Sequence, residues 1–198
     1  RLLLGFIRSL QGTTDTLCIL GDLFDFRVGL PALAFEEQEP LLRALEQLHT
    51  AGTRLIWLEG NHDFQLGADV AKRLGAEIYP GPVQLELQGK LVSLCHGDLI
   101  NRADWRYRLL YWTLRNPVTL QIGRLLPATA VQGLRSRLQR SSKGRYSGNR
   151  KRWDYSSMIR GYAESIHAQG ADALVLGHFH QPFIEHQQDF TLVSLGDW

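Results

Sequence analysis

The residues best placed to do chemistry are two histidines, His178 and His180, in the stretch Ala173-Leu174-Val175-Leu176-Gly177-His178-Phe179-His180-Gln181-Pro182. The apolar run reads as a buried strand, Gly177 as a sharp turn and Pro182 as the end of a loop. Two imidazoles at i and i+2 on such a loop can reach two neighbouring positions, as two adjacent metal ions would require. The bland alternative is a strand end with two solvated histidines. Three further stretches repeat the pattern: Ile19-Leu20-Gly21-Asp22-Leu23-Phe24-Asp25, Leu58-Glu59-Gly60-Asn61-His62-Asp63 and Leu94-Cys95-His96-Gly97-Asp98. Each follows an apolar run and sets an oxygen or nitrogen donor beside a glycine. In open α/β sheets, sites form at the carboxyl ends of strands. Four converging ends would gather Asp22, Asn61, His96, His178 and His180 around one point. That donor set suits divalent ions such as manganese, iron or zinc, and the chain has no cysteine set for a structural zinc cage.

The elements that must position these residues follow from periodicity. Residues 1–11 have helical spacing of apolar side chains. Thr16–Leu20 and Arg54–Leu58 read as buried strands, Pro40–Thr50 as an amphipathic helix closed by Ala51-Gly52, and Ala68–Leu74 as a short helix stopped by Gly75. Val83–Leu87 and Leu91–Cys95 flank Gln88-Gly89-Lys90 and read as a hairpin. Trp153–Gln169 reads as a helix returning to the sheet, followed by a strand over 171–176 and a closing hairpin, Phe183–His186 with Phe190–Leu195. Between them, residues 101–152 break the rhythm: helical stretches at 103–115, 118–126 and 129–140 precede a polar loop, Ser141–Arg152. The order of elements predicts an α/β core of two layered sheets flanked by helices, formed by residues 1–100 and 153–198, with 101–152 as a helical, basic cap insertion.

A chain of 198 residues is long enough for one domain with a sizeable core. Its net charge of +2 hides an asymmetry. Thirteen of the 22 Lys/Arg and one of the 20 Asp/Glu lie between Arg102 and Arg152, so that segment carries +12 and the remainder −10. Such an imbalance points to an anionic partner. Cys18 and Cys95 sit in apolar strand patterns and read as reduced, buried thiols of a cytoplasmic protein. No signal peptide and no apolar run of about 18 residues is present. His49, His167 and His186 read as helix-end or strand-surface histidines.

The motifs GDLFD at 21–25, GNHD at 60–63, HGD at 96–98 and GHFH at 177–180 together resemble the calcineurin-like metallophosphoesterase family, in its motif order and over nearly the whole chain. The resemblance implies a β-sandwich of two facing mixed sheets and a phosphoesterase using two divalent ions, manganese first, with iron or zinc as alternatives. Such a pair activates a hydroxide and stabilises the attacking and leaving oxygens at phosphorus. By motif, Asp22 would bridge the ions, Asn61, His96 and His178 would complete one site, and His180 would belong to the other. His62 would act as transition-state stabiliser or proton donor beside Asp22. Asp25, Asp63 and Asp98 would orient these groups. The family's opening D-x-H motif has no counterpart before Asp22, so the natural protein is expected to continue upstream of Arg1.

Within that family the chain is similar to the UDP-2,3-diacylglucosamine pyrophosphatases of lipid A synthesis. Its length, the helical insertion and the closing Leu195-Gly196-Asp197-Trp198 carry the similarity, although His62 stands where many of that group have Arg. The resemblance implies a nucleotide-linked glycolipid substrate cut to UMP and a diacylglucosamine 1-phosphate. It also implies peripheral attachment to the cytoplasmic face of the inner membrane, an anionic surface, rather than binding to nucleic acid. Trp105, Tyr107, Leu109, Leu110, Tyr111, Trp112, Leu114, Leu120, Ile122, Leu125 and Leu126 would offer apolar cap surface, and Arg145, Arg150 and Arg152 are candidate grips on the pyrophosphate. Two other readings stay open: a phosphoesterase of different specificity, such as a phosphodiesterase or nuclease, and a catalytically inactive binding scaffold. The sequence does not give an oligomeric state.

Overall fold

The computed structural model describes residues 2–29, 36–127, 129–130, 133, 136 and 153–196. The predicted helix over 129–140 lies mostly outside these residues. The loop Ser141–Arg152 with Arg145, Arg150 and Arg152, and the closing Asp197 and Trp198, lie wholly outside them.

Helix α1 (Leu2–Ser9) leads into strand β1 (Thr16–Ile19), the two-residue strand β2 (Arg27–Val28), helix α2 (Glu39–Thr50) and strand β3 (Arg54–Leu58). Then come the short β4 (Asp63–Phe64), helix α3 (Gly67–Leu74), and strands β5 (Ala76–Tyr79), β6 (Val83–Leu87) and β7 (Lys90–Cys95). Helices α4 (Trp105–Arg115) and α5 (Pro117–Leu125) follow. Helix α6 (Tyr155–His167) and strands β8 (Ala173–Leu176), β9 (Phe183–His186) and β10 (Thr191–Ser194) close the described fold.

Two main sheets form. One has the order β1-β3-β5 and is parallel throughout, with Leu17 beside Leu55 and Leu58 beside Tyr79. The other has the order β6-β7-β8-β10-β9 and mixes parallel pairs (β7 with β8, β8 with β10) with antiparallel ones (β6 with β7, β9 with β10). The predicted hairpins are present. Mixed pairing is confined to the five-stranded sheet, because among the described residues every neighbour in the three-stranded sheet is reached through a helix, and such crossovers give parallel strands.

Strand β3 explains the layering. Alternate side chains of a strand face opposite ways. Leu55 and Trp57 pack with Ile7, Leu42, Leu45, Leu48 and Leu74 of α1, α2 and α3. Ile56 and Leu58 pack with Leu20 and Leu94, and Val92 and Val175 join them from the second sheet. A strand buried on both faces must be apolar throughout, as Leu-Ile-Trp-Leu is. On the far side, Ile159, Ala163 and Ile166 of α6 cover Leu174, Leu176 and Leu192. The layers are helices, sheet, sheet, helix.

Strand β5 was not expected from periodicity. Ala-Glu-Ile-Tyr begins directly at Gly75, which adopts φ 58° and stops α3. Glu77 lies on its exposed side and holds Arg54 of the neighbouring strand at 2.6 and 3.0 Å, a cross-strand pair that supports the edge.

Helices α4 and α5 meet at one residue. Asp104 caps α4 by accepting from the Tyr107 amide at 3.0 Å. Asn116 ends α4 in extended backbone, as a residue before proline should, and its side chain caps α5 by accepting from the Val118 amide at 2.8 Å, with Pro117 opening the helix.

Candidate metal centre

Parallel pairing aligns the carboxyl ends of β1 with β3 and of β7 with β8, and contacts such as His96 to the Leu20 carbonyl bring the two pairs of ends together. The loops after β1 and β3 approach so closely that only glycine fits. A Cβ on Gly60 would stand 2.3 Å from Asp22 Oδ1 and 2.5 Å from its amide nitrogen. A Cβ on Gly21 would stand 2.5 Å from Gly60 Cα and 2.7 Å from His96 Nδ1.

Asp63 fastens these two loops. It is fully buried, and its carboxylate accepts from the amides of Asp22 (2.8 Å), Leu23 (2.8 Å) and Gly60 (3.0 Å). Burial first, then the nearby Asp22 charge, push its pKa up to about 7 against the pull of those amides.

Asp22, Asn61, His96 and His178 converge. Among the described residues, Asp22, His96 and His178 have ligand atoms all within 4.8 Å of one another. Asn61 Oδ1 lies 3.0 Å from His96 Nε2 and 2.9 Å from His178 Nδ1, and His96 Nε2 lies 3.4 Å from Asp22 Oδ2. Donors around a divalent ion with bonds of about 2.1 Å stand about 3.0–3.4 Å apart along an octahedral or tetrahedral edge. The spacings observed match that edge, so the residues present fit such an ion. The tautomer also fits. His96 Nδ1 donates to the Leu20 carbonyl at 2.7 Å, which turns Nε2 toward the cluster, the arrangement expected of a metal-binding imidazole.

Asp22 and the two histidines shift one another's titration. Burial works to raise the Asp22 pKa, but His96 and then His62 outweigh it and hold the carboxyl well below the usual range. Asp22 in turn outweighs burial at His96 and raises that pKa. Burial and then repulsion from His96 push His178 down to about 4, so His178 is a neutral donor. Asp22, His178 and His180 take positive φ values of 55°, 68° and 51°. Strain of this kind costs about 1–3 kcal/mol per residue and gathers at functional sites.

The remaining candidates lie nearby in differing roles. His62 donates its amide to Asp22 Oδ1 at 2.8 Å, and its Nδ1 donates to the Asp25 carbonyl at 2.8 Å. Asp25 therefore meets His62 through its backbone, while its side chain is exposed. Asp98 accepts from the Tyr107 hydroxyl of α4. His180 is exposed and lies outside the three-residue cluster. Outside the centre, His49 approaches the Thr53 carbonyl, His167 stacks on Phe190, and His186 meets the Thr191 hydroxyl. Cys18 and Cys95 are free thiols.

Arg115 and Glu59 were not singled out by sequence. Arg115 donates to the Gly60 carbonyl at 2.9 Å, and buried Glu59 holds the Leu66 amide at 2.9 Å. The available signal was the spacing of Tyr107, Tyr111 and Arg115, four residues apart on α4, which puts all three on one helix face. Beside the centre is a cavity of about 100 Å³, lined by residues including Glu59, His96, Asp98, Arg102 and Tyr111.

A family model described as calcineurin-like phosphoesterase matches residues 2–182. The chain is 31% identical over 199 residues to a UDP-2,3-diacylglucosamine hydrolase of Neisseria meningitidis serogroup B, covering 100% of this chain and 82% of that protein. It is 32% identical over 203 residues to a protein of the same name from Pseudomonas syringae pv. tomato, covering 100% and 81%. A solved archaeal phosphodiesterase superposes with a TM-score of 0.45 at 12% identity over 98% of this chain and 78% of that one, a likeness too loose to argue from.

Proposed function

Because the chain belongs to the calcineurin-like phosphoesterase family, we propose that it is a metal-dependent hydrolase of UDP-2,3-diacylglucosamine, cutting the pyrophosphate to UMP and 2,3-diacylglucosamine 1-phosphate in lipid A synthesis. The observation that carries the substrate is the full-length match to relatives named for that substrate. Divalent ions bound at this centre, with manganese the first choice, would supply a nucleophile near neutral pH and neutralise charge on the phosphoryl oxygens.

The chain's own residues divide the remaining work. Asp22, Asn61, His96 and His178 would hold one ion, and Asp22 with His180 would serve a second. Asp63 keeps the loops of Asp22 and Asn61 in register through its three amide bonds. His62, with Nδ1 committed to the Asp25 carbonyl, uses Nε2 toward a phosphoryl or leaving oxygen, a task suited to an imidazole near neutral pH.

The cavity beside the centre has room for a few waters and none for an acyl chain. The acyl chains instead meet the apolar side of the helical cap, where Trp105 (64% exposed), Trp112 (62%) and Leu125 (86%) stand out. Exposed aromatics beside arginines also suit a peripheral hold on an anionic membrane. No helix among the described residues is long and apolar enough to cross one.

The test is UMP release from UDP-2,3-diacylglucosamine with added manganese, using the full-length protein and His178→Ala as control. Release that disappears in the variant supports the reading. Manganese-dependent cleavage of a generic phosphodiester without UMP release would keep the chemistry and remove the substrate.

A further inference from the structure

The face of α4 that turns toward the core bears on three places in the fold. Tyr107 donates its hydroxyl to Asp98 in the loop that carries His96. Tyr111, one turn on, donates to the Pro80 carbonyl at 3.2 Å. Arg115, one turn further, donates through Nη2 to the Gly60 carbonyl at 2.9 Å, in the loop that carries Asn61 and His62. Residues four apart on a helix share a face, so a single rigid element touches two ligand-bearing loops at once.

Arg115 is held more elaborately than a surface arginine. Its guanidinium lies 4.1 Å from the centre of the Tyr111 ring and 4.9 Å from that of Phe64. Glu59 stands 3.7 Å away, and the two side chains are 11% and 7% exposed. Among the described residues its Nε has no hydrogen-bond partner. The side chain therefore satisfies only part of its donor capacity, and its one short bond goes to Gly60. Burying a charge with an unspent donor is costly. That cost is understandable if the position of the Gly60 carbonyl matters. Gly60 packs against Asp22 on one side, donates its amide to Asp63 on another, and precedes Asn61.

We propose that Arg115 is a positioning residue for the metal centre: from the helical cap it fixes the Gly60–Asp63 turn, so that cap seating and metal binding are coupled through α4. The inference rests on the metal reading of the centre. It adds that the α4 segment helps build the ion site as well as facing the substrate. Tyr107 serves the His96 loop in the same way through Asp98, with one hydrogen bond but without the ring contacts and nearby carboxylate that hold Arg115, and so with a smaller effect.

The test is calorimetric titration of Mn²⁺ into the full-length protein and its Arg115→Met, Arg115→Lys and Tyr107→Phe variants, each first checked for a cooperative thermal transition without metal. Loss of a group that orients metal ligands typically weakens affinity by about ten- to a hundredfold. Arg115→Met is expected to bind Mn²⁺ at least about tenfold more weakly, with kcat reduced and KM little changed. Arg115→Lys falls between, because an ammonium keeps the charge and loses the planar stack between two rings. Tyr107→Phe loses a few-fold.

A folded Arg115→Met protein with unchanged Mn²⁺ affinity would overturn the inference. So would a raised KM with unchanged kcat, which would place Arg115 at the substrate. If Arg115→Met fails to fold, the Arg115→Lys and Tyr107→Phe titrations decide, and unchanged affinity in both overturns it. A wild-type protein that binds no Mn²⁺ removes the metal reading and this inference together. A wild-type protein that binds, beside variants that bind equally well, removes the inference alone.

Discussion

The ligand-bearing loops and the α4–α5 segment are built on opposite principles. The loops are over-determined: glycine touches backbone at Gly21 and Gly60, and one carboxylate takes three amides at Asp63. In the α4–α5 segment the only buried residue is Tyr111, itself 9% exposed, and α5 buries none. Trp105, Leu109, Trp112, Val118, Ile122 and Leu125 are left exposed. A site that must hold ions within a few tenths of an ångström requires the first kind of construction. A surface proposed to accept long apolar chains is served by the second. The two meet where α4 turns Tyr107, Tyr111 and Arg115 inward.

The largest effect should come from Gly60→Ala. The added methyl has no room beside Asp22, so the two loops must separate. Misplacement by about 1 Å costs about a hundredfold in rate, and at least that loss of manganese-dependent turnover is expected, measured as UMP release. A tolerated Gly60→Ala would break the contrast, because the loops would then be as yielding as the helices.

Asp63→Ala comes next. It strands the part-buried amides of Asp22 and Leu23 and leaves Gly60 its bond to the Asp63 backbone carbonyl; at about 1–3 kcal/mol for each stranded group, urea denaturation should show a loss of about 2 kcal/mol or more, with metal binding weakened in parallel. A change under about 1 kcal/mol would show that the loops hold their register without this clamp.

Trp112→Ser should be the mildest in stability and the most selective in activity. An exposed substitution of this kind stays within about 0.5 kcal/mol. KM for the diacylated substrate should rise several-fold, while hydrolysis of an acyl-free UDP-sugar should not change. Equal losses on both substrates would sharpen the picture differently, assigning Trp112 to the chemistry instead of the acyl chains.

Legibility in the sequence followed the same division. Arg54–Leu58 was readable to the residue because a strand buried on both faces must be apolar throughout and is bounded by turn residues. The convergence of Asp22, Asn61, His96 and His178 was readable because each donor sits beside a glycine at a strand end, a local signal. Strand β5 was hidden, since Ala-Glu-Ile-Tyr has four residues, a charge in the middle, and becomes a strand by pairing with β3. The two-residue pair β2 and β4 is too short to show any period. Arg115 was hidden for a different reason. Its helix position is local, but the groups that give it meaning, Gly60 and Phe64, lie some fifty residues earlier. Within a segment rich in arginine, nothing local marks it out.

Four strand ends meeting at one metal centre is the feature on which the proposed chemistry depends. The most direct measurement is an anomalous difference map from crystals of the full-length protein grown with manganese. A peak is expected within about 2.0–2.3 Å of Asp22, Asn61 Oδ1, His96 Nε2 and His178, lost in the His178→Ala protein. Manganese bound elsewhere, or no peak among these four side chains, would contradict it.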